Sequence, residues 1–360
     1  MIVHVVGARP NFMKAAPVVA ALGRRGGLTQ FLVHTGQHYD ANMSQVFFEE
    51  LGLPKPDINL DVGSGSHAVQ TAHIMVSFEK VVLAQRPDLV LVYGDVNSTV
   101  AAALVCAKLG IRLGHVEAGL RSFDRTMPEE INRLLTDQMA DLLFTPSADG
   151  DQNLLREGVA PDNIHLVGNV MIDTLVRLLP VAANSQIGNK LNVGFKNYGL
   201  ITLHRPSNVD NPPVLKSIME VLTEVGRDLP LLFPVHPRTR ARIVEFDLPA
   251  LSNGRIRLLE PLGYLNFLKL QMDAAVVVTD SGGIQEETTY LGVPCLTVRD
   301  NTERPVTVEM GTNILVGQDM QRLREELARV LNGGGKCGKI PPLWDGRAGQ
   351  RIADMISRSV

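Results

Sequence analysis

Short apolar runs alternate with helix-length segments along this chain, and that alternation limits the fold more tightly than any other feature. In the first half, the apolar-rich runs 2–6, 30–33, 89–92, 111–116 and 142–144 predict buried strands. Segments 11–22, 69–84 and 99–109 between them predict helices. Alternation of this kind means βαβ units and a parallel sheet covered on both faces. The second half repeats the scheme, with strands at 198–202, 231–235, 255–258, 274–278 and 294–297. The expected fold class is α/β, with two doubly wound Rossmann-like domains.

A length of 360 residues favours two cores over one. The change of domain is expected near residue 170, where Gly168-Asn169-Val170-Met171-Ile172-Asp173 ends a strand and begins a helix. This gives an N-terminal domain over 1–170, a C-terminal domain over 171–345, and a terminal helix over 346–360 expected to pack back on the first domain. The polar stretch 184–197 reads either as an outer loop of the second domain or as its first irregular segment.

The formal net charge of -3, with both signs interspersed, offers no basic field for a nucleic acid backbone. Cys106, Cys295 and Cys337 are widely spaced and form no C-x-x-C pair, so neither a disulfide framework nor a thiolate metal site is expected. No apolar run approaches the roughly 18 residues of a membrane span, and the chain opens on a strand-like segment rather than a signal peptide. A cytoplasmic protein with no membrane insertion is the expectation.

In open α/β sheets, ligands bind beyond the carboxyl ends of the strands. The residues that follow each apolar run here are unusually polar. Asp280-Ser281-Gly282-Gly283-Ile284-Gln285-Glu286-Glu287 follows the run 274–278. It reads as a strand, a sharp turn and a helix start whose free N–H groups and dipole attract phosphate. Carboxylates in the first turns would repel a diphosphate, so at least one is expected to face hydroxyls such as those of a ribose. A nucleoside diphosphate fits this site.

Gly7-Ala8-Arg9-Pro10-Asn11-Phe12-Met13-Lys14 stands where a dinucleotide-binding enzyme carries G-x-G-x-x-G, but bulky residues break that spacing. A nicotinamide cofactor is disfavoured. Arg9 and Lys14 instead suit phosphate or developing negative charge. Asp95 and Glu117 each follow a strand, and carboxylates gathered in a dry site can divide into acid and base. Asp95 also reads as a helix N-cap. Pro128-Glu129-Glu130-Ile131-Asn132-Arg133 reads as a helix start, with Glu129 and Arg133 spaced for a surface pair. In the second half, His204-Arg205, His236-Pro237-Arg238 and Thr302-Glu303-Arg304-Pro305 end strands with basic groups. The pair His34 and His38 spans a strand end rather than a helix face, and no metal site is indicated.

Together these motifs resemble the non-hydrolysing UDP-N-acetylglucosamine 2-epimerases. The resemblance runs in order through G-A-R-P-N-F-M-K, T-G-Q-H, Y-G-D, H-V-E-A-G-L-R, P-E-E-I-N-R, L-H-R-P-S-N, D-S-G-G-I-Q-E-E, T-E-R-P and G-T-N-I-L-V-G. It implies a GT-B-like pair of Rossmann domains with the active site in the interdomain cleft, a homodimer, and no cofactor. It also implies interconversion of UDP-GlcNAc and UDP-ManNAc, supplying sugar nucleotide for cell-surface polysaccharide. By resemblance, Arg9, His204, His236, Ser281, Gly282, Gly283 and Arg304 surround UDP, Glu287 holds its ribose and Phe267 its uracil. Lys14, Asp95, Glu117, Glu129, Arg133 and His204 line the reacting sugar as the catalytic set, which reverses the surface-pair reading of Glu129 and Arg133.

Departures from the family pattern also carry expectations. Asn11 replaces a Glu common after Arg-Pro, and His204-Arg205-Pro206-Ser207-Asn208 replaces H-R-R-E-N. Asp40 and Val69-Gln70 stand where many bacterial members carry a Gln and an Arg-Gln pair that bind a second substrate molecule as activator. Weak or absent substrate activation is expected. A GT-B glycosyltransferase using a UDP-sugar donor and a catalytically silent UDP-sugar sensor are the competing readings.

Overall fold

The computed structural model describes residues 1–36, 50–248 and 256–359. By contact the chain divides into two compact units, Met1–Val176 with Pro342–Val360, and Arg177–Pro341. The helix Val170–Ala183 runs through the division.

The first unit is built on a seven-stranded sheet. Its strands are β1 (Ile2–Val6), β2 (Gln30–His34), β3 (Ile58–Asn59), β4 (Leu89–Tyr93), β5 (Leu113–Val116), β6 (Leu142–Thr145) and β7 (Ile164–Leu166). The order is β3-β2-β1-β4-β5-β6-β7, and every pairing is parallel. Strand order therefore reverses direction between β1 and β4, the switch point at which such sheets bind ligands. In this sheet predicted strands match observed ones to within a residue or two, but β3 and β7 were not expected. They are edge strands of two and three residues, too short and too exposed to leave an apolar run in the sequence.

The second unit has a six-stranded parallel sheet in the order β10-β9-β8-β11-β12-β13. It comprises β8 (Gly199–Thr202), β9 (Leu231–Pro234), β10 (Ile256–Leu259), β11 (Val276–Thr279), β12 (Cys295–Thr297) and β13 (Asn313–Leu315). Its switch point lies between β8 and β11. Val276 and Val278 enter one apolar core with Phe233 and Leu222, while Val277 enters the opposite core with Leu200 and Leu232. The two-residue period of the strand thus feeds both faces, which explains continuous apolar runs in place of alternation. The expected α/β class with two doubly wound parallel sheets is what the chain forms.

The last helix, Ala348–Ser359, belongs to the first unit and lies against the helix Arg9–Arg25. Gly349 makes the close approach, since a Cβ there would come within 2.8 Å of Pro17 backbone. No helix among the described residues is long and apolar enough to cross a membrane.

Candidate active site

In the first unit the strand ends beside the switch point gather a buried polar set. Lys14 lies in the second turn of the helix Arg9–Arg25 and forms an ion pair with Glu117, just past β5. Both side chains are almost wholly buried. Gly94 leaves the path for Lys14 open, because a Cβ there would sit 2.5 Å from its Nζ. Glu117 adopts φ 75°, left-handed for a residue with a side chain, at a cost of about 1–3 kcal/mol. Such strain persists only where neighbouring contacts over-determine it.

Asn11 secures the same turn. Its Oδ1 accepts from the N–H groups of Gly7 and Ala8 at 3.1 and 3.0 Å, and its Nδ2 donates to the Tyr93 carbonyl at 2.6 Å. An ionised Glu could not supply that donated bond, so this departure from the family pattern has a local reason. Arg9 opens the helix, but its side chain, like His38 and Asp40, lies outside the described residues.

Asp95 is not a helix cap. The cap of the helix Asn97–Leu109 is Val96, and the Asp95 carboxylate pairs with Arg133 instead. Asn132 donates to the Asp95 carbonyl at 2.9 Å. The expected surface pair of Glu129 with Arg133 also gives way. Arg133 is buried and meets Glu130 at 2.7 Å, while Glu129 is exposed on the first turn of the helix Pro128–Met139. Burial opposes the charge on Glu130, but the Ser122 donors and Arg133 hold its carboxyl below the usual range.

In the second unit the site forms around β8 and β11. His204 follows β8, and its Nδ1 lies 2.9 Å from Oδ1 of Asp280 at the end of β11. His236 caps the helix Pro237–Glu245, and its ring centroid is 6.4 Å from that of His204. Partial burial, then the neighbouring His204 and Arg238, push the His236 ring below its ordinary value. Ser281 is the N-cap of the helix Gly282–Leu291 and makes no side-chain cap bond to it. The first-turn N–H groups of Gly282 and Gly283 have no intrahelical partner, which leaves them available to an anion.

Arg304 lies on that turn, since a Cβ on Gly282 would stand 2.4 Å from its Nη1. It is buried, 2.8 Å from Glu286 and paired with Glu303, whose other oxygen meets Arg299 at 2.7 Å. Glu287 is buried in the same helix and accepts a 2.8 Å hydrogen bond from the Tyr264 hydroxyl. Phe267, half-buried on the helix Tyr264–Asp273, packs beside the apolar core that contains Leu270. Gln285 accepts from Thr302 at 2.7 Å and Asn313 at 3.0 Å, so the T-E-R-P and G-T-N segments are tied to the glycine turn.

The family model described as UDP-N-acetylglucosamine 2-epimerase matches residues 20–357. The chain belongs to this family. The UDP-N-acetylglucosamine 2-epimerase of Methanocaldococcus jannaschii is 45% identical over 360 residues, covering 98% of each chain. The UDP-2,3-diacetamido-2,3-dideoxy-D-glucuronate 2-epimerase of Pseudomonas aeruginosa is 42% identical over 364 residues, covering 99% of each. A crystal structure of the M. jannaschii enzyme in complex with UDP-GlcNAc and UDP matches at a TM-score of 0.91, with 44% identity and 99% of each chain covered. The two doubly wound sheets are therefore the GT-B-like fold of the 2-epimerases.

Asp280 and Asp137 are the residues that sequence reasoning missed within this epimerase scaffold. Asp280 is fully buried and accepts from the backbone N–H groups of His204 and Arg205 at 3.0 and 2.9 Å, and from Asn208 at 3.1 Å. Its place at a strand end was a usable signal, obscured by the glycine turn that follows. Asp137 lies inside a helix, beyond the P-E-E-I-N-R segment, and gives no local signal of the contacts it makes.

Proposed function

We propose that this chain interconverts UDP-GlcNAc and UDP-ManNAc by eliminating and re-adding UDP. The observation that carries the reading is the pair of carboxylates at adjacent strand ends, Glu117 beside Lys14 and Asp95 beside Arg133. C2 of the sugar has no neighbouring carbonyl to acidify its proton. Departure of UDP with the C1–O bonding electrons makes C1 oxocarbenium-like, and a carboxylate can then take the C2 proton to leave a 2-acetamidoglucal. Return of UDP to C1, with a proton delivered to the other face of C2, inverts that centre. This scheme needs acid and base groups on both faces of the ring, and Asp95, Glu117 and Glu129 are the groups we assign to it.

The diphosphate is assigned to Arg9, His204, His236, Ser281, Gly282, Gly283 and Arg304, where N–H groups and cations stabilise the leaving charge. Glu287 is assigned to the ribose and Phe267 to the uracil. The M. jannaschii relative bound to UDP-GlcNAc and UDP supports this choice of ligand. We further propose a cytoplasmic homodimer that supplies sugar nucleotide for polysaccharide. Val69, Val76 and Leu83 recur every seven residues on the helix His67–Gln85 and are 50%, 58% and 58% exposed, an apolar stripe that supports self-association.

Incubation with UDP-GlcNAc in D2O, followed by NMR and mass analysis, tests the reaction. Deuterium at C2 of both epimers, with slow leakage of UDP and glycal, is expected. No exchange would reject the reaction for this sugar, and release of UDP only with an added acceptor would mark a glycosyltransferase.

A further inference from the structure

The left-handed backbone of Glu117 is disfavoured for a residue with a side chain, and one carboxylate holds the chain on both sides of it. Asp137, buried on the helix Pro128–Met139, accepts from the His115 Nδ1 at 2.6 Å and from the Gly119 N–H at 3.1 Å. These are the residues two before and two after Glu117. The same carboxylate meets Arg121 at 2.7 Å, and Arg121 continues to Glu157 at 2.6 Å. Gly119 is also confined from outside, since a Cβ there would come within 2.5 Å of the Gly150 carbonyl oxygen.

The second ring nitrogen of His115 stands 2.8 Å from the Gly94 carbonyl oxygen, adjacent to Asp95. Asp95 is gripped again from the helix, through Asn132 and Arg133. Arg133 and Asp137 are four residues apart and so lie on one helix face. One face of this helix therefore reaches both strand ends that carry the assigned acid and base groups. Burial works against the charge of Asp137, but His115 and Arg121 outweigh it and keep the carboxyl below its usual range.

We propose that Asp137 is a positioning residue for the epimerisation, a buried clamp that brackets Glu117 and registers its turn and the Gly94-Asp95 turn on the helix Pro128–Met139. The inference rests on the function proposed above. A carboxylate needed only for folding would lower stability and leave the chemistry of each folded molecule intact. A clamp on the acid and base groups would change kcat while leaving the UDP grip, whose assigned residues other than Arg9 belong to the other unit, unaltered.

The test compares the wild-type enzyme with Asp137→Asn, which keeps the shape but turns one acceptor into a donor. Ile352→Ala, a core change in the last helix, serves as a destabilised control. Melting temperature, UDP affinity by calorimetry, kcat and KM for UDP-GlcNAc and C2 deuterium uptake are measured for each. Asp137→Asn is expected to lose kcat by about tenfold or more with UDP affinity within about threefold, while the control keeps its kcat within about threefold. Should Asp137→Asn fail to fold, His115→Gln, which retains one donor, is read by the same criteria. Retained kcat beside an active wild type would overturn the clamp alone, as would a loss no larger than that of the control. Absence of C2 exchange in the wild type would overturn the proposed reaction, and the clamp's part in it.

Discussion

The imidazole of His204 and the carboxylate of Asp280 meet at 2.9 Å across the reversal of strand order between β8 and β11. Burial alone would raise the Asp280 carboxyl, but the His204 ring, the Arg205 N–H and Asn208 hold it below the usual range. A carboxylate that is ionised and fixed on Nδ1 sets the ring's orientation and leaves Nε2 as the nitrogen for the diphosphate contact proposed above. Asp280→Asn should therefore lower kcat on the order of 10²-fold while the fold survives, because the isostere still accepts one bond. Steady-state kinetics with circular dichroism checks this, and an active Asp280→Asn enzyme would remove the orienting role.

The ion pair of Lys14 and Glu117 gives a prediction in which stability and activity separate. Removing one member of a buried pair leaves the other charge uncompensated, at a cost of about 3–5 kcal/mol. Lys14→Met should thus lower the melting temperature sharply and abolish turnover. Adding Glu117→Gln takes away the orphaned charge, so the double variant should recover much of the stability and none of the activity. Equal melting temperatures for the single and double variants would show that the pair does not carry this charge balance.

The doubly wound sheets were legible because buried parallel strands are largely apolar, and 274–278 or 89–92 can be little else. The strand-end rule located Asp95, Glu117, His204 and Ser281 just past their strands, where the structure has them, because those positions follow from topology. What stayed hidden depends on contacts between residues distant in sequence. Arg133 chose Glu130 and Asp95 over Glu129 because its face of the helix is buried where the helix packs on the helix Asn97–Leu109 and on β5, which spacing along the helix cannot reveal. Asp137 is silent for the same reason, since its partners lie 16 to 22 residues earlier in the chain. The αL backbone of Glu117 was obscured too, since the sequence there offers a non-glycine residue where glycine would ordinarily be expected.

Simple kinetics are expected for the wild-type enzyme. Gln70 is buried, donates to the Gly63 carbonyl at 3.0 Å and accepts from Asn97 at 2.8 Å. An amide committed to these internal bonds has little left with which to hold a second substrate molecule, and Val69 beside it offers no charge. The forward rate should follow a hyperbola in UDP-GlcNAc, and the reverse reaction should start without added UDP-GlcNAc. Sigmoidal rates, or a reverse reaction that waits for UDP-GlcNAc, would contradict this.

Asp173 carries a pH dependence of folding rather than of catalysis. Its carboxylate accepts the Ala348 and Gly349 N–H groups at 3.0 and 2.7 Å, where the last helix begins. Burial dominates and pushes its pKa up to about 6 from 3.8; the two backbone bonds and Arg351 oppose the rise, and Asp345 adds to it. Between these values the folded chain keeps a proton that the unfolded chain releases. The contribution to stability is therefore complete below the unfolded value and is lost as pH rises through about 6, a change of roughly 3 kcal/mol. Asp173→Asn has no charge to bury and should lack this slope, at the fixed cost of one N–H facing a donor. Melting temperatures of variant and wild type taken from pH 4 to about 7 should diverge in the variant's favour as pH rises. Parallel profiles would show that Asp173 is ionised in the folded protein throughout that range, and that the last helix is held without a titrating cap.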